Sequence, residues 1–152
     1  REKNNFDHPN AFDFNLLINH LNNLDIEGKV SSPTYCYKKH IRKNEKNMIF
    51  KKQILIIEGI FSTFDKELRE KMIYKVFIDA PENIRLKRRI KRDVDIRGRD
   101  IKSVKKQFNN SVLEMHNKFV TPLKKYADLV ISSNDDSINK LYKKINQILL
   151  NE

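Results

Sequence analysis

Four short stretches of this sequence carry side chains whose types and spacing could do chemistry. The first, Asn5 to Asp13, reads NFDHPNAFD. No helix starts there until after the proline, so Asp7 is expected on a rigid, extended turn. A carboxylate fixed in that way can accept both hydrogen bonds of a vicinal diol, such as the secondary hydroxyls of a ribose. Phe6 could pack beside the sugar or a base. The plainer alternative, with Asp7 and His8 capping backbone amides ahead of a helix, explains this stretch alone about as well.

The second stretch is YCYKKHIR, Tyr35 to Arg42. Alternation along an extended chain puts Tyr35 and Tyr37 on one face, and His40 joins them if the strand ends in a turn. Two phenols and an imidazole offer stacking surface and hydrogen bonds to the edge of a heterocycle. Taken alone, the stretch is explained better by a hairpin with a cross-strand aromatic pair. The third stretch, QILIIEGIF from Gln53 to Phe61, ends a buried-looking apolar run in a carboxylate and a glycine. Enzymes of nucleotide chemistry place magnesium-associated acids at such strand ends, which makes Glu58 the candidate metal-linked acid. One acid at a strand end is a weak signal by itself.

The fourth stretch, IRLKRRIKRDVDIRGRD from Ile84 to Asp100, says most. On a helix Arg85, Arg88, Arg89 and Arg92 share one face, while Leu86, Ile90 and Val94 form a separate apolar stripe. Arg97 and Arg99 flank Gly98 at a flexible break. Aligned guanidiniums repel one another, so such a face needs a compensating anion. Phosphoryl transfer is catalysed largely by positioning and charge stabilisation, which arginines supply.

The elements that must position these groups follow an α/β pattern. Ile54 to Ile57, Tyr74 to Ile78 and Leu129 to Ile131 read as buried parallel strands because they are apolar with almost no alternation. Helices are expected from about Asp13 to before Gly28, Asp65 to Met72, Pro81 to Asp93, Ile101 to Phe119 and Ile138 to Leu150. Residues 30–50 read as a hairpin-like excursion. Parallel sheets bind ligands at the carboxyl ends of their strands, so Glu58-Gly59, Asp79-Ala80 and Ser132-Ser133 are expected to face the site.

Composition narrows the classes. The chain has 152 residues, 39% hydrophobic and 34% charged, which suits one globular domain. No apolar run approaches the ~20 residues that span a bilayer. The opening residues resemble no secretory signal, and the single Cys36 suits a reducing compartment; a cytoplasmic location is therefore expected. Arg1 in place of methionine is compatible with a processed chain or a piece of a longer one. The net charge is +11, of which residues 85–106 contribute +8. A field concentrated in that way suits a compact polyanion such as a triphosphate at least as well as a nucleic acid.

In order and spacing, NFDHPNAFD, Tyr-x-Tyr-x-x-His-x-Arg, LIIEGI, RR-x-x-RD-x-x-x-RGRD and PLKKYADLVI resemble the uridine kinase (uridine-cytidine kinase) family of P-loop kinases, from about Asn5 to Ile131. The resemblance implies a parallel sheet flanked by helices, incomplete here with three of the family's five strands. It implies a single partial kinase domain over 1–152, with a nucleoside-pocket hairpin at 30–50 and an arginine-rich lid at 84–106. The implied activity is phosphate transfer from ATP or GTP, with magnesium, to the 5′ hydroxyl of uridine or cytidine in pyrimidine salvage. Asp7 would then hold the ribose, with Phe6, Tyr35, Tyr37 and His40 lining the pyrimidine pocket. Arg89, Arg99 and Gln107 would complete the nucleoside site. Arg92 and Arg97 would reach the triphosphate, and Glu58 would stand near magnesium. Full-length family members usually form tetramers.

The sequence departs from the family in several places. Its three glycines form no G-x-x-x-x-G-K-[ST] run, and the strand whose aspartate would take the 5′-hydroxyl proton is missing. On that basis the chain alone is expected to be inactive, with its strands flanking an empty slot and apolar edges exposed. Cys36 stands where the family commonly has an acid, and Ser132-Ser133-Asn134 replaces a Pro-Arg-Gly turn. Two other readings compete. One is a phosphoribulokinase-like sugar kinase, against which the aromatic trio argues because a sugar phosphate has no ring to stack. The other is a noncatalytic remnant that binds nucleosides or nucleic acid.

Overall fold

The structure, a computed structural model, describes residues 5–37, 41–132 and 135–150, the side chains of 135–138 excepted. His40, Ser133 and Asn134, all singled out above, lie outside the described residues. Three helix starts are set by aspartate caps. Asp13 accepts a hydrogen bond from the Leu16 amide at 3.1 Å and opens α1, Phe14–Glu27. Asp65 does the same for Leu68 in α2, Lys66–Glu70, and Asp100 for Ser103 in α4, Ile101–Gln107. A cap of this kind satisfies an amide that has no helical partner. Gly28 closes α1 with φ 72°, a left-handed conformation that favours glycine. Between α2 and α4 lies the arginine-rich α3, Glu82–Asp95, which starts directly after Pro81.

The expected hairpin is present. Strands β1, Lys29–Cys36, and β2, Ile41–Phe50, pair antiparallel with an irregularity between Pro33 and Tyr35. Strands β3, Val76–Asp79, and β4, Leu129–Ser132, pair parallel, with Val76 opposite Leu129 and Asp79 opposite Ser132. Lys75 and Asp128 lock the start of this pair. The Lys75 amide donates to the Asp128 carboxylate at 2.7 Å, and the Asp128 amide donates to the Lys75 carbonyl at 2.8 Å. The small parallel sheet with flanking helices is the expected α/β architecture.

The third expected strand is not formed. Residues 54–57 belong to neither sheet, and Ile54, Leu55 and Ile56 are exposed, Ile56 to 79%. The physical reason is the lack of a neighbour: among the described residues no other strand offers this run its amides and carbonyls. The helix expected from Ile101 to Phe119 is also more articulated than a plain α-helix. Beyond α4 it passes through a π-turn, Phe108–Val112, a short α5, Leu113–Met115, and a second π-turn, His116–Val120. The last helix, α6, begins three residues earlier than expected, spanning Asp135–Leu150.

The core is largely aromatic. Phe61, Val120 and Leu123 are buried together, with Phe14, Phe64, Phe77, Phe119 and Tyr126 packed against them. This cluster also grips the first chemical stretch. His8 meets Phe119 edge-on at 4.5 Å between ring centres, and Phe12 meets Phe61 at 5.2 Å. Such pairs add to the burial energy and fix ring orientation.

Candidate active site

Asp7 sits on the loop that those aromatic contacts clamp. The Asn5 side chain accepts the Asp7 amide at 3.0 Å, and the His8 ring accepts the Asn10 amide at 3.1 Å. His8 therefore does the capping that the plainer reading gave to both residues. Asp7 is instead turned inward, its side chain 15% exposed, with Oδ1 3.5 Å from Nη1 of Arg89. Arg89 also reaches Gln107 Oε1, at 3.4 Å, and the same oxygen accepts a 2.7 Å hydrogen bond from Arg99. Four of the residues expected at a nucleoside site are thus joined in one chain of an ion pair and two hydrogen bonds.

The hairpin brings its aromatics to the same place. The rings of Tyr35 and Tyr37 meet edge-on at 5.2 Å, as sharing one face requires. The Arg97 guanidinium lies over the Tyr37 ring at 5.4 Å, a cation–π distance. Ion pairs anchor both ends of the hairpin to α1: near its turn Arg42 donates to Asp13 at 2.8 Å while Asp13 caps α1, and just past its base Lys51 pairs with Asp25 at 2.9 Å. The bond from Arg42, and then the one from the Leu16 amide, holds the Asp13 carboxyl below its ordinary value. The sequence reading gave neither residue this role, because their pairing spans 29 positions.

At the centre of the arginines stands Asp93, fully buried and absent from the expected site. It contacts Arg89, Arg92, Arg97 and Arg99 at 2.8 to 3.7 Å. Spacing could have found it, since Arg89, Asp93 and Arg97 recur every four residues and so share a helix face. The expected arginine face is consequently divided. Arg89 and Arg92 turn to Asp93, while Arg85 faces the end of β3, where its charge acts on His116 and Asp79. Burial, then repulsion from Arg92, pushes Arg97 below the usual arginine value. Four guanidiniums here face two carboxylates, Asp7 and Asp93, leaving an excess positive charge suited to an anionic ligand.

Glu58 stands apart from this network. Phe6 is exposed beside Asp7. Glu58 is also exposed, and it makes no hydrogen bond or ion pair among the described residues. Magnesium demands near-octahedral oxygen ligands. An exposed carboxylate on an unpaired run does not fit that demand by itself, and no cluster of three metal-binding side chains occurs among the described residues. The strand ends do face a cavity, as topology requires. It has a volume of about 350 Å³ and is lined by Asp79, Ala80, Pro81, Val130, Ile131 and Ser132, none of them from the arginine network. Among the described residues no helix is long and apolar enough to cross a membrane.

An α/β chain that gathers a carboxylate, an aromatic pair and an arginine cluster in this way holds groups that phosphate-handling kinases use. The sequence matches the Phosphoribulokinase / Uridine kinase family over residues 1–138, and the chain belongs to that family. It is 43% identical to the uridine kinase of Clostridium novyi over 152 residues, covering 98% of this chain and 73% of that protein. The uridine kinase of Proteus mirabilis is 43% identical over 150 residues, covering 97% of this chain and 70% of the relative. Uridine-cytidine kinase A of Dictyostelium discoideum is 40% identical over 148 residues, 97% of this chain but 30% of its own length.

Proposed function

We propose that this chain carries the nucleoside-binding side and the arginine clasp of a uridine/cytidine kinase acting in pyrimidine salvage. The reaction would join the nucleoside 5′ oxygen to the terminal phosphorus of ATP or GTP, break the bond to the bridging oxygen, and release the diphosphate. One observation carries this reading: Asp7, Arg89, Gln107 and Arg99 form a continuous polar chain, with Tyr37 stacked under Arg97 beside it. Asp7 offers a carboxylate to the ribose diol, and the tyrosine pair offers ring surface to the pyrimidine. Arg92 and Arg97 supply charge for the phosphates.

The network does not supply a proton acceptor for the 5′ hydroxyl. Asp7 is committed to Arg89, and Asp93 lies beneath four guanidiniums. No G-x-x-x-x-G-K-[ST] run is present to cradle the triphosphate. The chain by itself is therefore expected to bind nucleoside without turning it over. ATP or GTP and magnesium enter through the family reading, as do a cytoplasmic setting and a tetrameric assembly.

Titration calorimetry with uridine tests the proposal. A charge-assisted contact to a sugar diol is worth roughly 1.5–3 kcal/mol, so Asp7→Ala should weaken uridine by about tenfold or more. Equal affinity in wild type and variant, or tighter binding of ribulose 5-phosphate than of uridine, would refute it.

A further inference from the structure

The four guanidiniums around Asp93 are divided between its two oxygens. Oδ1 accepts Arg92, through Nη2 at 2.8 Å and Nε at 2.9 Å, and contacts Arg97 Nη1 at 3.2 Å. Oδ2 contacts Arg99 Nη1 at 3.4 Å and Arg89 Nε at 3.7 Å. The division follows function on the reading above: the Oδ1 pair belongs to the phosphate side, the Oδ2 pair to the nucleoside side. We propose that Asp93 is a positioning residue that sets both groups of arginines from one buried carboxylate and thereby ties the nucleoside half of the site to the phosphate half. This proposal rests on the uridine/cytidine kinase reading for the identity of the ligands, not for the positioning itself.

Three features support it. Asp93 has no exposed surface, whereas the side chains of its partners range from 17% to 46% exposed. The acid is thus fixed while the arginine forks reach outward. The main chain holds Asp93 at the same point, for the Arg99 amide donates to the Asp93 carbonyl at 2.9 Å. Gly98, at φ 65°, allows the chain to turn back over the end of α3 and deliver Arg99. Finally, the carboxylate accepts hydrogen bonds from Arg92 and Arg99 and stands within ion-pair distance of Arg89 and Arg97, so one charge faces all four forks. Without its charge, the four guanidiniums would repel one another. Their long side chains would then regain the rotamer freedom that a pre-set site has already given up.

Asp93→Asn tests this through the Nε–H resonances of the arginine side chains in NMR spectra, alongside titrations with uridine and with inorganic tripolyphosphate. In a variant with a native backbone spectrum, the Arg89, Arg97 and Arg99 signals should move toward the position of free arginine. Both dissociation constants should rise by about tenfold together, in line with the loss of a charge-assisted contact on each side. Arginine signals that stay in place in a folded Asp93→Asn protein would overturn the proposal. Should that variant not fold, Arg92→Gln replaces it: sharing Oδ1 requires the Arg97 signal to move, and a stationary signal would overturn the idea equally. If the guanidinium signals move but neither wild type nor variant binds uridine, the nucleoside reading fails and the positioning role stands.

Discussion

The end of α3 and the run from residue 51 to residue 60 both carry groups that a folded chain must accommodate, and they fare in opposite ways. Around α3, guanidiniums that would repel one another are compensated by Asp93, whose partners Arg89 and Arg97 stand four residues away on either side. In the other run, four isoleucines and a leucine surround Glu58, yet no strand among the described residues pairs with it. Compensation of charge is local here, supplied by partners within six residues of Asp93 along the chain. Burial of a strand needs partners from elsewhere, and Ile54, Leu55, Ile56 and Ile60 consequently face solvent.

Several changes can break or sharpen that contrast. The largest effect is expected at Asp93. Removing the acid from beneath four partly buried guanidiniums leaves their charge uncompensated; a fully buried pair loses about 3–5 kcal/mol in this way, and solvent screening brings the loss here to the order of 2 kcal/mol. Asp93→Ala should therefore lower stability steeply in denaturant titrations. A change below 1 kcal/mol would show the arginines to be well hydrated and the acid dispensable to the fold.

A smaller effect concerns His116, whose pKa is lowered to about 4, first by burial and then by the nearby Arg85 charge, against the opposing pull of Asp79. The folded state resists protonating this ring, while the unfolded chain takes up a proton near 6.5. Its contribution to stability is therefore complete above about pH 6.5, falls as pH drops, and changes no further below about 4. Solvent screening at this half-buried position brings the loss to the order of 1 kcal/mol. His116→Gln should remove that part of the pH dependence between those limits; an unchanged profile would assign it to other groups.

The smallest effect is expected in the exposed run. Ile56→Lys should change stability by less than about 0.5 kcal/mol while reducing self-association at high concentration. Destabilisation by more than 1 kcal/mol would mean that the run is buried after all.

How much of this was legible in the sequence depended on the range of each interaction. Helix starts at Asp13, Asp65 and Asp100 were readable because a cap acts over three residues. The hairpin and the shared face of Tyr35 and Tyr37 followed from alternation, and the β3–β4 strands from their uniform apolarity. Asp7, Arg89, Arg99 and Gln107 were all expected in one site, and they are linked. The Asp13–Arg42 clip escaped notice because nothing local signals a partner 29 positions away. Asp93 was read only as a letter in an arginine motif, since charge content gives no hint of which acid is buried. Residues 54–57 misled for the converse reason: an apolar run shows that a segment prefers a buried strand, not that a neighbour exists to pair with it.

One ligand should engage the carboxylate, the rings and the guanidiniums together. Backbone and arginine side-chain chemical shifts recorded during a titration with uridine measure this directly. The expected result is a concerted set of saturable changes at Asp7, Tyr35, Tyr37, Arg89, Arg99 and Gln107, all giving one dissociation constant. Changes confined to the cavity at the ends of β3 and β4, or none at saturating uridine, would contradict it.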